Sequence, residues 1–104
     1  MRMWMISPRF LCRQHLLGEH YELHKLAGSL RRGKRLGRLL THGLVDPSQM
    51  YARHEQVAAE MERRGYRHRS PMTQTDSTRG RIDIERNARD LQERCPACAE
   101  RMGR

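Results

Sequence analysis

At 104 residues the chain suffices for one compact domain with a modest core and is too short for two. Hydrophobic residues make up 37%, and no apolar run approaches the roughly 18 residues of a membrane span, which excludes a membrane helix. The net charge of +9 lies mostly at the front, with nine Lys/Arg against two acids in residues 1–45 and twelve against ten in 46–104, so the first half forms a cationic surface whose natural partner is nucleic acid.

Met1-Arg2-Met3-Trp4-Met5-Ile6 is too short an apolar stretch for a secretory signal and has no small-residue cleavage site, so a cytoplasmic protein is expected. Three cysteines, Cys12, Cys95 and Cys98, leave one unpaired in any disulfide scheme, which fits free thiols in a reducing compartment. Ser7-Pro8 reads as a helix start, with Ser as the cap and Pro where its missing N–H costs nothing. Cys12, Leu16, Leu23, Leu26, Ala27 and Leu30 then fall on one helical face, predicting a long amphipathic helix that Gly33 ends. From Arg31 to Val45, the cations Arg31, Arg32, Lys34, Arg35 and Arg38 are mixed with Gly33, Gly37 and Gly43. That permissive stretch has room for a short helix at most.

Asp46-Pro47-Ser48-Gln49 combines an N-cap Asp, a first-position Pro and a third-position Gln, a close variant of the capping box. Met50, His54, Val57, Ala58 and Met61 follow at helical spacing until Arg63-Arg64-Gly65 brings C-terminal cations and a left-handed stop, so a second helix runs near 47–64. Residues 67–81 have the composition of a linker. Ile84, Ala88, Leu91 and Cys95 mark a third helix that Pro96 ends or kinks, leaving one frayed turn over Ala97 to Arg104. No segment alternates as a strand does. The fold class expected is all-α: a single compact domain, 1–104, of about three helices with a basic glycine-containing loop, and a monomer.

His15, Glu19 and Glu22 stand at i, i+4 and i+7, on one side of the first helix and beside its apolar stripe. The two glutamates are the acids of a region holding nine cations, and such a field favours an ionised carboxylate next to a bound polyanion. Spacing alone favours ordinary surface pairs with Arg13, Lys25 or His15, each contributing about a few tenths of a kcal/mol.

The segment Gln14-His15-Leu16-Leu17-Gly18-Glu19-His20-Tyr21-Glu22-Leu23 resembles the N-terminal helix motif of the pyrimidine-dimer DNA glycosylases, the endonuclease V family. Glu60-Met61-Glu62-Arg63-Arg64-Gly65-Tyr66 is similar to that family's helix end, and with Met1 to Ile6 the likeness covers roughly the first 70 residues. It implies an enzyme whose N-terminal α-amine attacks the sugar C1′ of the dimer's 5′ nucleotide, expels the base and leaves a Schiff base, after which β-elimination breaks the strand. The resemblance puts the family's essential glutamate at Glu22, its helix histidine at His15, its second acid at Glu19 and its N-terminal arginine at Arg2.

Met1 falls where the processed family member presents threonine. Because Arg2 is not a small residue, Met1 is expected to be retained and to supply the amine. The change is chemically tolerable: the nucleophile is a backbone amine, and the reference pKa of such amines, about 7.7 to 8.0, leaves a usable neutral fraction. Glu22 would stabilise positive charge on the sugar and carry protons through imine formation and elimination. Tyr21 and Lys25 replace family arginines beside it, Lys25 still able to hold a phosphate but less specifically. Double-stranded DNA carrying a pyrimidine dimer is the expected partner, with Arg2, Lys25, Arg31, Arg32, Lys34, Arg35 and Arg38 on its phosphates and the dimer providing an easily deformed site.

No cofactor is called for and no metal is assigned. Cys95-Pro96-Ala97-Cys98 has the spacing of half a zinc site, which Cys12 and one of the six histidines could complete only through the fold. Trp4, Tyr66 and His54 are expected to be core residues. Two readings from other classes stand beside the enzyme: a non-catalytic module gripping phosphates through the basic loop, and a small interaction protein docking an acidic partner.

Overall fold

The computed structural model describes residues 1–103, which contain helices and no strands. Five α-helices follow in order, α1 (Arg13–Arg31), α2 (Gly37–Thr41), α3 (Met50–Arg63), α4 (Ile84–Arg94) and α5 (Pro96–Arg101), with 3-10 turns at Pro8–Phe10 and Pro47–Gln49. The all-α expectation therefore stands, while the expected count of about three becomes five. The additions are short: α2 occupies the glycine-rich basic stretch, and α5 forms where a frayed turn was expected. None of these helices is long and apolar enough to cross a membrane.

The first helix starts five residues later than Ser7-Pro8 announces. That pair opens only a 3-10 turn, after which Leu11 and Cys12 turn extended. The break allows Leu11 to be completely buried, and Cys12 then caps α1 by accepting from the His15 N–H. Its nineteen residues span about 28 Å at 1.5 Å per residue. Leu16, Leu23, Leu26 and Ala27 form its inner face, and α1 packs against α3, whose Met50, Val57, Ala58 and Met61 point inward. Asp46 caps the turn before α3 as expected, and Asp83, which the sequence pattern had not singled out, caps α4 by accepting from the Arg86 N–H.

The N-terminal segment belongs to the core. Met3, Trp4 and Ile6 are buried there. Irregular backbone inside a core must find partners for its polar groups, and these are supplied from three directions. Met3 donates to the Leu44 carbonyl at 2.8 Å, the fully buried Asn87 of α4 donates to the Met3 and Trp4 carbonyls, and Arg53 of α3 donates to the Ile6 carbonyl at 2.7 Å. Residues 67–81 have no regular structure yet are docked. Thr78 accepts from the Ser48 N–H, and Gly80 donates to Asp46 so close to the 44–46 backbone that a Cβ there would lie 2.1 Å from the Val45 carbonyl oxygen.

Two carboxylates make stability pH-dependent. Hydrogen bonds from Arg63, and then from Arg64, hold Glu60 down from 4.5 to about 2 against the opposing effect of burial. Burial of Asp46 would raise its pKa, but hydrogen bonds from Ser48, Gln49 and Gly80 outweigh this and the net shift is downward. A carboxyl whose folded pKa lies below its unfolded one contributes stability that is complete above the unfolded value and lost as pH falls through the folded one. Thermal melts of the native protein should therefore fall steadily from about pH 4.5 to about pH 2. Glu60→Gln should melt lower at neutral pH and show a shallower acid slope; equal slopes in the two proteins would refute this assignment.

Candidate active site

Because the N-terminal segment is tied down along its length, its first atom has a defined position. The α-amine of Met1 lies 3.1 Å from Glu22 Oε2 in the middle of α1. The methionine side chain is 15% exposed and the glutamate 32%, so the pair is sheltered but reachable from solvent. It borders an open cleft of about 410 Å³ whose walls include Trp4, Gln14, His15 and Arg94. A larger groove of about 850 Å³ lies between the Pro8 turn and α3, away from the amine, and carries none of the residues expected to be catalytic.

His15 lines the amine's cleft, its ring edge-on to Trp4 at 5.8 Å. Burial lowers its pKa, and the charge of Glu22 acts in the opposite direction. Glu19, expected beside His15 and Glu22, does border their cleft but lies deeper than either. Its side chain is fully buried and bidentate to Arg53, with Nε to Oε2 at 2.6 Å and Nη2 to Oε1 at 2.9 Å. It thereby orients the guanidinium that holds the Ile6 carbonyl and so steadies the N-terminal segment.

Arg2, expected on a phosphate, borders the amine's cleft and is engaged within the protein. It donates to Asp90 at 2.9 Å and Asn87 at 3.2 Å, and its guanidinium lies over the Trp4 ring. Lys25, Arg31, Arg32, Lys34, Arg35 and Arg38 are all solvent-exposed, along the second half of α1 and around its end. Among the described residues none of the six enters an ion pair, though Arg31 donates to Gln74 at 2.8 Å. Tyr21, 64% exposed, faces solvent on the same helix with the Lys25 ammonium 5.6 Å from its ring. The basic surface thus begins within one turn of Glu22. As expected, Trp4 and His54 are buried, and Tyr66 packs at the core's edge beneath Arg13.

Two clusters form, the first selecting His15 among the six histidines that could have joined Cys12 and the Cys95–Cys98 pair, the second not anticipated from the sequence. Cys12, His15, Cys95 and Cys98 converge, and so do His20, His54 and His68, with His24 adjoining. Burial, followed by the charges of His24, His54 and His68, pushes His20 down to about 4. The i, i+4 spacing of His20 and His24 was a signal for the second group, but His54 reaches it through the packing of α1 on α3 and His68 from the irregular segment that follows α3.

Comparison with curated proteins and with solved structures gave no match. A family model, pyrimidine dimer DNA glycosylase, matches residues 1–74, which hold the buried N-terminal segment, α1 and its basic end, α2 and α3. With a match over more than half its length, the chain belongs to the pyrimidine dimer DNA glycosylase family.

Proposed function

We propose that this protein excises pyrimidine dimers from double-stranded DNA with the α-amine of Met1 as nucleophile, and that it then cleaves the strand as a lyase. The observation that carries the reading is the 3.1 Å contact between that amine and Glu22. An ammonium cannot attack, and Glu22 is in hydrogen-bond reach to accept its proton. The freed amine forms a bond to C1′ of the dimer's 5′ nucleotide as the glycosidic C–N bond breaks, the electron pair leaving with the base. Glu22 passes the proton it took to O4′ as the C1′–O4′ bond breaks and the ring opens to a cationic imine, and the carboxylate so regenerated opposes the new charge. Loss of a C2′ proton to a base then expels the 3′ phosphate, leaving the aldehyde-derived sugar on the amine until water releases it. Glu22 is the base we assign to that step, with His15 beside the cleft as a hydrogen-bond donor to the substrate.

Lys25, Arg31, Arg32, Lys34, Arg35 and Arg38 would hold the phosphates, and Arg2 would act by fixing the N-terminal segment against α4. Electrostatic binding of this kind weakens with salt in proportion to the phosphates neutralised. The triple change Lys34→Gln, Arg35→Gln, Arg38→Gln should weaken binding to intact and damaged duplex alike and make the log–log salt slope shallower by up to about 3. An unchanged slope would remove this face from the interface.

The deciding experiment uses untagged protein with a verified free amine and a duplex containing one cyclobutane thymine dimer. Borohydride should trap a covalent adduct that peptide mapping places on Met1. If binding is intact and no adduct forms, the chain is a non-catalytic DNA-binding module.

A further inference from the structure

Four side chains of metal-ligating type meet where the two ends of the chain come together. Cys12 precedes α1, His15 lies in its first turn, Cys95 caps α5 and Cys98 follows one turn later, and one ligand atom from each lies within 4.8 Å of all the others. Cys12 Sγ and Cys95 Sγ are 3.8 Å apart, and His15 Nδ1 is 3.2 Å from Cys12 Sγ and 3.5 Å from Cys98 Sγ. A tetrahedral centre with bonds of about 2.3 Å to sulfur and about 2.0 Å to nitrogen sets its sulfurs about 3.8 Å apart and sulfur and nitrogen about 3.5 Å apart. A disulfide requires about 2.05 Å.

The surroundings suit thiolates. Backbone N–H groups are directed at all three sulfurs, from Cys12 to Cys98 Sγ at 3.2 Å, from Cys98 to Cys95 Sγ at 3.4 Å and from His15 to Cys12 Sγ at 3.5 Å. Cys98 is fully buried and Cys12 nearly so, which leaves the group closed to solvent on its inner side. Pro96 at the first position of α5 fixes the turn that places Cys95 and Cys98 together. Three sulfurs and one imidazole fill a tetrahedron and leave no open position, the pattern of a structural rather than a catalytic zinc site.

We propose that Cys12, His15, Cys95 and Cys98 bind one zinc ion, which clamps α5 to the start of α1. The ion would join the segment matched by the family model to helices outside it. On the catalytic reading above, it would also hold His15 through Nδ1 and leave Nε2 as the nitrogen carrying hydrogen.

The test uses untagged, reduced protein purified without added metal or chelator. Zinc should be retained through dialysis, and replacement by cobalt should give a thiolate-to-cobalt charge-transfer band with the intensity of a tetrahedral site. Cys95→Ala should lose that band and one metal equivalent, and removing zinc with a strong chelator should lower the melting temperature. Should Cys95→Ala fail to fold, the cobalt spectrum of the unaltered chain decides alone. A reduced chain that takes up neither ion, or zinc binding unchanged in Cys95→Ala, would overturn the site whatever the result of the borohydride experiment.

A separate observation points to a second site. His20, His54 and His68 offer nitrogens within 4.8 Å of one another, and the Nε2 atoms of His20 and His68 are buried with no hydrogen-bond partner among the described residues. Buried polar atoms rarely lack a partner, and a set made only of imidazoles suits zinc, nickel or copper. His68→Gln should lose one metal equivalent while leaving the cobalt–thiolate band intact. A wild-type protein saturated by the thiolate-bound ion alone, under added zinc, nickel and copper, would refute it.

Discussion

Glu22→Gln is expected to fold normally and to lose excision and borohydride trapping by about 10²- to 10⁴-fold, the usual worth of a positioned general base. The amide keeps the shape and can still accept a hydrogen bond from the amine 3.1 Å away. It can neither take the amine's proton nor balance the charge of an imine. Stability should change by no more than about 1 kcal/mol, because Glu22 is 32% exposed and its ion-pair partner among the described residues is the Met1 amine. Single-turnover excision of a defined dimer, trapping and a thermal melt read the three parts separately. Unchanged excision would exclude Glu22 from proton transfer, and a collapsed melt would show it to be structural.

The local part of this architecture was legible and the non-local part was not. Asp46-Pro47 announces the entry to α3 because cap and proline act on neighbouring backbone. Ser7-Pro8 carries the same signal, but Leu11 is buried and Cys12 meets the sulfurs of Cys95 and Cys98 where the helix would have run, and those cysteines lie near the other end of the chain. Spacing puts His15, Glu19 and Glu22 on one side of a helix but does not say which of them turns under α3. Glu19 is therefore buried on Arg53, Glu22 meets the amine and His15 meets the cysteines. The partner of Arg2 within the protein, Asp90, is likewise supplied from α4 and has no local signal. Resemblance to a family anticipated Glu22 where periodicity left it equivalent to a surface glutamate. Neither resemblance nor spacing could have completed the Cys95–Cys98 pair, since its remaining ligands lie more than eighty residues away.

The buried pair predicts the largest loss of stability. Glu19 and Arg53 are 0% and 1% exposed and are bound to each other through two nitrogens and two oxygens. Glu19→Gln leaves the guanidinium buried without its counter-charge, and breaking such a pair from one side costs about 3–5 kcal/mol. For a chain of this size that corresponds to a fall in melting temperature of more than about 10 °C. Arg53→Lys should be nearly as damaging, since an ammonium cannot span both carboxylate oxygens and also reach the Ile6 carbonyl. The double change Glu19→Leu, Arg53→Met should recover part of the loss by removing both charges, though the Ile6 carbonyl then lacks its donor. Activity separates Glu19 from Glu22. At temperatures well below its own melt, Glu19→Gln should still form the borohydride adduct, more slowly because the N-terminal segment is less firmly held, whereas Glu22→Gln should not. Complete loss of trapping in a folded Glu19→Gln protein would instead place Glu19 in the chemistry.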